Sequence, residues 1–495
     1  MNRGIAVIDI GMTNKKVSLY DTRLQILDSQ TRTFKPVMVD EVETHDLEGM
    51  EAWFLDTLSR LQKRLDIGAI TVTTHGATMV CVDASGKPCV PCVYYTHDPG
   101  QGFQDRFYRL AGDPVELQAV TGTPVLSALI NPAKGLLFAK EKFPDQFSRT
   151  KHVLSYPPYW GLRFTGVVGA EGTYAGCHTY LWDWKRECYS TVAEALGVAS
   201  LMPAPLKDSW AVLGTLKPEV ASRTGLGADT ILTMGIHDSN ASLLPHLAKR
   251  KRDFVLNSTG TWCVLMHPQE RYGFAPDELG KTVFFNRSAY NTPVKTAIFL
   301  GGMEYETWCA LIGSSANAPR VEDYRDVIRE RRQFILPEVV PGSGQFPGST
   351  ARFVDAGKPI PLSAIPSGPL PEVLRDRARA QAVLNLSLVI QTVVSLERTG
   401  LVPGTDVLTE GGFRKNRDYN ELLAAALPSN KVYLTDIAEA TSFGAALTGV
   451  AALEGRTVES LADRFDVAYV PVPPMPVLQG FDEYRRAWLD MAAHG

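Results

Sequence analysis

Two stretches of this chain, one at its start and one just past its middle, follow the same plan. In the first, the apolar strand Ile5 to Ile8 runs into Asp9-Ile10-Gly11-Met12-Thr13-Asn14 and returns as a strand from Val17 to Tyr20. In the second, Phe254 to Asn257 leads through Ser258-Thr259-Gly260-Thr261 into Trp262 to Met266. Glycine in such a turn lets backbone approach an anion closely, and successive N–H groups form a concave anion site. A carboxylate at the strand end, here Asp9, can hold the Mg²⁺ that travels with nucleotide phosphates. One Asp-x-Gly turn is a common accident. Two such hairpins restrict the chain to a duplicated α/β architecture in which two turns grip one phosphate chain from opposite sides.

The size and charge of the chain agree. Its 495 residues allow two to four domains and a cleft between them. Apolar residues make up 45% and charged residues 21%, as in a soluble globular protein, and a net charge of −4 argues against a nucleic-acid or anionic-membrane partner. No run is read as a signal peptide or a membrane span. Seven cysteines in so long a chain do not describe a disulfide framework, which places the protein in a reducing cytoplasm.

Met50, Phe54, Leu58, Leu61 and Leu65 recur at helical spacing over Glu48 to Leu65, an amphipathic crossover helix. A strand over residues 69–74 follows, ending at His75-Gly76, and then a hairpin turning at residues 84–88. Ligands of α/β sheets lie beyond the carboxyl ends of the strands, so His75 either reaches a substrate or is a capped structural histidine. Cys81, Cys89 and Cys92 with His97 read as structural thiols ahead of a zinc cluster, since one C-x-x-C lacks a second pair. A helix is predicted over residues 129–143, broken by Tyr156 to Gly161 with its two prolines. Tyr159, Trp160, Tyr180, Trp182 and Trp184 read as core packing ahead of a sugar site.

A strand over residues 231–235 precedes His237-Asp238, which opens a helix; a carboxylate there is either an N-cap or a catalytic group. Lys249 to Arg252 reads as a solvated turn. Two motifs are decoys: Gly273 to Thr282 has the wrong glycine spacing for a phosphate loop, and Gly342 to Gly348 does not open a helix after a strand. The latter belongs to a segment from Pro337 to Pro371 that reads as a long surface loop. A long helix is predicted over residues 372–399, a strand over 406–409 ending at Glu410-Gly411-Gly412-Phe413, and a helix reaching Leu427. The Gly-Gly pair suits a flat ligand lying against backbone. Last come a strand over 432–434 and a helix of small residues from Glu439, suited to close packing under a nucleotide.

Four motifs in order, Asp9 to Asn14, His237-Asp238, Thr259-Gly260-Thr261-Trp262, and Gly411-Gly412 with Gly444-Ala445-Ala446, resemble the FGGY carbohydrate kinases, relatives of actin, hexokinase and Hsp70. The resemblance implies two actin-like (ribonuclease H-like) ATPase domains flanking a catalytic cleft. It divides the chain into residues 1–244 (sugar and Mg/phosphate side), 245–455 (nucleotide side) and a C-terminal extension, 456–495. It implies ATP and Mg²⁺ as cofactors and a small-molecule sugar as substrate, with L-rhamnulose or L-fuculose first, a pentulose or polyol second and a non-catalytic sugar-binding member third. A homodimer is the assembly it suggests. Asp238 would be the catalytic base and Asp9 the metal ligand. His75, Gly76, His237 and Asp98 would bind the sugar. Thr13, Asn14, Lys16, Thr259, Gly260, Thr261, Gly411, Gly412 and Asn416 would bind the nucleotide. Met12 replaces a usual hydroxyl residue, Lys16 a usual Arg, and no Arg follows Asp98.

Overall fold

The computed structural model describes residues 3–250, 252–313, 318–365, 372–476 and 479–494. Two seven-stranded sheets organise them. In the first, the parallel strands Gly4–Ile10 and Ile67–Thr74 lie side by side, and Asn14–Tyr20 and Ile26–Thr33 add antiparallel on one flank. In the second, Phe254–Thr259 pairs parallel with Asp406–Gly411 and antiparallel with Cys263–Pro268, which continues into Pro293–Phe299 and Val283–Arg287. Each hairpin therefore abuts a parallel strand on one edge, and the duplicated plan holds.

Strand alternation decides which faces are covered. Ala6, Ile8, Ile10, Val17 and Leu19 form one apolar cluster with Phe54 and Leu58 of helix Leu47–Leu61. Ile5 and Val7, on the opposite face, pack with Ala241 and Leu244 of helix Asp238–Lys249 and with Ala445, Ala446 and Val450 of helix Ala440–Glu454. Leu243 of helix Asp238–Lys249 packs instead with Phe254, Leu256 and Leu408 of the second sheet. The two helices thus lie between the sheets. Residues 440–454, which the sequence assigns to the nucleotide side, cover the first sheet. The described residues beyond 455 are integral to the fold: Val458 and Leu461 join the cluster of Ile5 and Val7, Tyr469–Pro471 is the edge strand of the second sheet, and Phe481, Tyr484 and Trp488 sit in the second core.

Several local expectations fail for identifiable reasons. Pro157 and Pro158 occupy the first turn of a helix, Tyr156–Thr165, where a missing N–H costs nothing; they open an element where a break is predicted. The hairpin turning at residues 84–88 does form, closed by Asp83 N to Lys87 O (2.9 Å) and Cys89 N to Cys81 O (3.0 Å), but the longer pairing of strand Met79–Val82 is with His152–Ser155. The expected surface loop over 337–371 holds two strands, Arg352–Asp355 and Lys358–Pro361, beside Gln333–Leu336; residues 366–371 lie outside the described residues. Within it the Gly342–Gly348 motif does cradle an anion, but an internal one. Glu338 accepts from Ser343 N (2.7 Å), Gly344 N (3.1 Å) and Phe346 N (3.1 Å). In the basic run, Arg250 pairs with Asp406 and lies over Tyr469 (4.6 Å), two residues of the second sheet; Lys251 lies outside the described residues. Contrary to expectation, one helix, Arg377–Arg398, is long and apolar enough to cross a membrane by length and composition, yet most of it is buried in the second core.

Candidate active site

The first hairpin registers Asp9 opposite Lys16 and Ile10 opposite Lys15. Period-2 alternation therefore sends the two lysines to opposite faces. Lys16 shares a face with Asp9 and pairs with Glu439, the residue before helix Ala440–Glu454. Lys15, which the sequence reading passed over, is fully buried, donates to the Met12 carbonyl (2.7 Å) and braces the turn; burial lowers its pKa to about 8. Thr13 and Asn14 are exposed at the tip, with Asn14 accepting from Thr33 Oγ1 (2.9 Å). Ser442 Oγ donates to Asp9 Oδ2 (3.1 Å). Burial, reinforced by the nearby Asp238 and opposed by Lys16 and Ser442, raises the Asp9 carboxyl to about 6.

Strand Ile236–His237 extends the first sheet beside Thr73 and Thr74 and ends where helix Asp238–Lys249 begins. Asp238 is thus the first helical residue, and the capping position falls to His237, whose side chain makes no cap. Asp238 Oδ1 accepts from Ser239 N (2.6 Å) and lies 3.2 Å from His237 Nε2. Asn240 Nδ2 donates to His237 Nδ1 (3.1 Å), which leaves the ring proton on Nε2. Burial holds His237 neutral, with a pKa near 3, and lifts Asp238 to about 6 against its hydrogen bonds to Ser239. A supporting layer fixes the strand: Thr173 Oγ1 accepts from His237 N (2.9 Å) and donates to Glu171 Oε2 (2.7 Å).

Asp238 opens onto a cavity of about 190 Å³. His75, Gly76, Tyr95, His178 and His237 form its polar side. Leu126 and Ile130 from the first half, with Trp262, Val264, Phe284 and Ile298 from the second, form an apolar side, and these six pack as one cluster across the lobes. His75 is buried with both ring nitrogens unpartnered, which suits a group waiting for a ligand's hydroxyls. Gly76 is small because His237 is close: an added methyl carbon would lie 2.6 Å from His237 Nε2. Asp98 is not part of this cavity. It is exposed and accepts from Gly100 N (2.9 Å), while Tyr95, three residues earlier, lines the wall. The five aromatics assigned to packing do pack: Tyr159, Trp160, Tyr180 and Trp182 are buried in the first half, and Trp184 stacks on Tyr272. Cys81, Cys89 and Cys92 are buried free thiols, and His97 lies against Phe138 (4.8 Å).

Trp262 connects this cavity to the second turn. Gly260 and Thr261 are exposed there, while the Thr259 hydroxyl is already used, donating to Glu410 O and accepting from Phe413 N (2.9 Å). Thr259 therefore locks the turn to the Gly-Gly strand end. Gly411 has φ +78° and ψ −146°, a region reserved for glycine, and an added methyl carbon would lie 1.9 Å from Thr259 O. Gly411→Ala is expected to cost about 1–3 kcal/mol, as thermal melts would measure. Gly411 and Gly412 leave open backbone on this surface; Asn416 beyond them caps helix Arg417–Ala426, accepting from Tyr419 N (3.1 Å). The gap left by the decoy at Gly280 is filled by a clamp between the halves: Gln118 accepts from Gly280 N (2.7 Å) and donates to Lys281 O and Val283 O.

Among the described residues no three His, Cys, Asp or Glu side chains converge to cage a metal. A Mg²⁺ that arrives on nucleotide phosphates and keeps most of its water needs only one or two carboxylates, and it would offset the burial, and to a lesser degree the Asp238 charge, that raise Asp9. The residues fit it.

Comparison with known proteins agrees with this geometry. The description "FGGY family of carbohydrate kinases, N-terminal domain" matches residues 5–245, and "Carbohydrate kinase FGGY, C-terminal domain" matches 251–457. The L-fuculokinase of Salmonella typhi is 25% identical over 268 residues, 53% of this chain and 56% of that one. The xylulose kinase of Bacillus subtilis is 24% identical over 289 residues, 56% of each. The chain thus spans about half the length of the curated relatives it matches. A carbohydrate kinase structure from Novosphingobium aromaticivorans superposes with a TM-score of 0.80 at 27% identity, covering 100% of this chain and 99% of that one. The Plasmodium falciparum glycerol kinase with ADP shares the fold at 14% identity and a TM-score of 0.77, with 100% and 98% covered. With both family descriptions laid end to end over the two sheets and the crevice between them, the chain belongs to the FGGY family of carbohydrate kinases.

Proposed function

We propose that this protein is an ATP-dependent sugar kinase that transfers the γ-phosphate of ATP to a hydroxyl of a ketose. The observation that supports this reading is that Asp238 lies close enough to Asp9 to raise its carboxyl, and shares a cavity of about 190 Å³ with Trp262 at the end of the second turn. Phosphoryl transfer asks mainly for alignment and charge stabilisation, with a base at the attacking hydroxyl. In the proposed reaction the sugar oxygen attacks the γ-phosphorus, the bond to the β–γ bridging oxygen breaks, ADP leaves, and Asp238 takes the hydroxyl proton. His237, proton on Nε2, holds the Asp238 carboxylate in place. Mg²⁺, held by Asp9, would neutralise phosphate charge. Thr13, Asn14, Lys16, Gly260 and Thr261 would receive the β- and γ-phosphates, and closure of the halves would exclude water.

L-Rhamnulose or L-fuculose is the proposed substrate. The apolar side of the cavity supports a sugar that ends in a methyl group, and the polar side supports one whose other carbons carry hydroxyls. A pentulose is the second reading, favoured by the similarity to the Bacillus subtilis xylulose kinase. A coupled ADP-release assay against ketoses and polyols tests both: kcat/KM should be highest for 6-deoxyketohexoses, and ATP turnover indifferent to every sugar would refute the kinase.

The raised Asp238 carboxyl also sets a pH dependence. A base must be ionised to accept the proton, so at saturating Mg²⁺ the rate should fall as pH drops through about 6 and be flat from pH 7 to 8. A profile with its acid limb near the ordinary aspartate range would remove the burial argument.

A further inference from the structure

The loop over residues 122–131 supplies Leu126 and Ile130, the first half's share of the apolar side of the cavity, yet it has no regular structure of its own, and Ala128 in it carries a φ of +51°. Two side chains at the start of helix Pro132–Lys142 hold it. Asn131 Oδ1 accepts from Leu126 N (3.2 Å), and its Nδ2 donates to Pro124 O (3.4 Å) and His178 O (3.0 Å). Lys134 Nζ donates to Leu126 O (2.7 Å). The Leu126 peptide is therefore gripped at both its N–H and its C=O, and the same asparagine reaches the backbone of His178 on the polar side.

Lys134 is an unusual choice for this work. It is fully buried, and its ammonium faces the rings of Tyr108 (5.1 Å) and Phe107 (5.9 Å) with no carboxylate paired to it among the described residues. Burial lowers its pKa to about 7. A buried charge without a counter-ion is costly, and an apolar residue of similar shape would stabilise the fold better. A core lysine kept at that cost, with one strong bond to a loop carbonyl, points to the loop as its purpose.

We infer that Asn131 and Lys134 are positioning residues that set the sugar preference of the cleft by fixing Leu126 and His178 on either side of the substrate. The inference rests on reading that cavity as the sugar site. Neither residue touches the sugar; both act through backbone they hold. A wall displaced by about 1 Å loses the fit to a methyl group while phosphate and nucleotide contacts, built on other elements, are unaffected.

The test compares the full-length wild type with Lys134→Met, which keeps the volume and removes the donor. Lys134→Met should melt at or above the wild-type temperature. Its dissociation constant for a 6-deoxyketohexose, by titration calorimetry, should rise about tenfold with that for ADP unchanged, and its kcat/KM ratio between the deoxy sugar and the 6-hydroxy counterpart should fall towards one. Lys134→Gln, which restores a donor, should recover part of the loss. Wild-type sugar affinity and selectivity in Lys134→Met would overturn the assignment. If that variant does not fold, Asn131→Ala carries the same comparison with the same two outcomes. A wild type that binds the ketose without phosphorylating it would sink the kinase reading and leave this one standing; a wild type that binds no ketose would remove both.

Discussion

Asp238→Asn is expected to lower kcat by ~10²–10⁴, the range for loss of a positioned general base, while ketose and ADP affinities stay within a few-fold of wild type. The same change should not harm the fold. Asp238 is ionised at neutral pH in a site whose burial raises its pKa to about 6. The folded state therefore binds this proton more readily than the unfolded state, and ionisation subtracts stability as pH rises from the ordinary aspartate range through 6. Asn removes that loss, so the variant should melt higher than wild type at pH 8 and nearer to it at pH 5. Single-turnover kinetics and melts at the two pH values check both halves. Retained turnover would take Asp238 out of the role proposed for it, and an equal loss of stability at both pH values would show that its hydrogen bonds to Ser239 matter more than its charge.

Gly444→Val should have the largest effect on stability. Pro245 sits inside helix Asp238–Lys249 and has no N–H to offer the carbonyl of Ala241, four residues earlier. That freed oxygen faces Gly444 on helix Ala440–Glu454, so close that an added methyl carbon would lie 1.7 Å from it. The helices can touch only because one side has no side chain. Their contact also carries chemistry, since Asp238 begins one helix and Ser442, bonded to Asp9, lies in the first turn of the other. Gly444→Val should cost about 3 kcal/mol or more, from overpacking, and lower kcat as well by pushing Asp238 and Asp9 apart. Gly444→Ala should show the same signs at smaller size. Denaturant unfolding gives the first quantity and steady-state rates the second. A valine variant of wild-type stability would mean that the helices separate without consequence.

Much of this was legible in the residues. Both hairpins, Asp9, the His237-Asp238 junction and the Gly-Gly strand end follow from local pattern, because a strand, a glycine turn and a helix start each leave a mark within a few residues. The motif singled out Lys16 and not Lys15, and in the register Lys16 stands opposite Asp9 while Lys15 stands opposite Ile10. The cavity was not legible. The loop with Leu126 and Ile130 meets His178, Phe284 and Ile298 only in the folded chain, and nothing near His178 distinguishes it from a core residue. Asp98 was misplaced because the motif around it departs from the family pattern, and the structure uses its carboxylate for a local turn. The Pro337–Pro371 segment misled because its polar residues, Glu338, Ser343 and Gln345 among them, satisfy one another or nearby backbone inside the protein, which composition alone does not reveal.

The helix over residues 440–454 has a consequence for how the protein is made. Chains generally mature from the amino end during synthesis, each unit folding as it emerges. Here one face of the first sheet is covered in part by the helix over residues 440–454, far along the chain, so Ile5 and Val7 stay incompletely shielded until that helix has been made. The opening half should consequently be a poor candidate for production as a separate fragment, and a natural client for holding factors during translation.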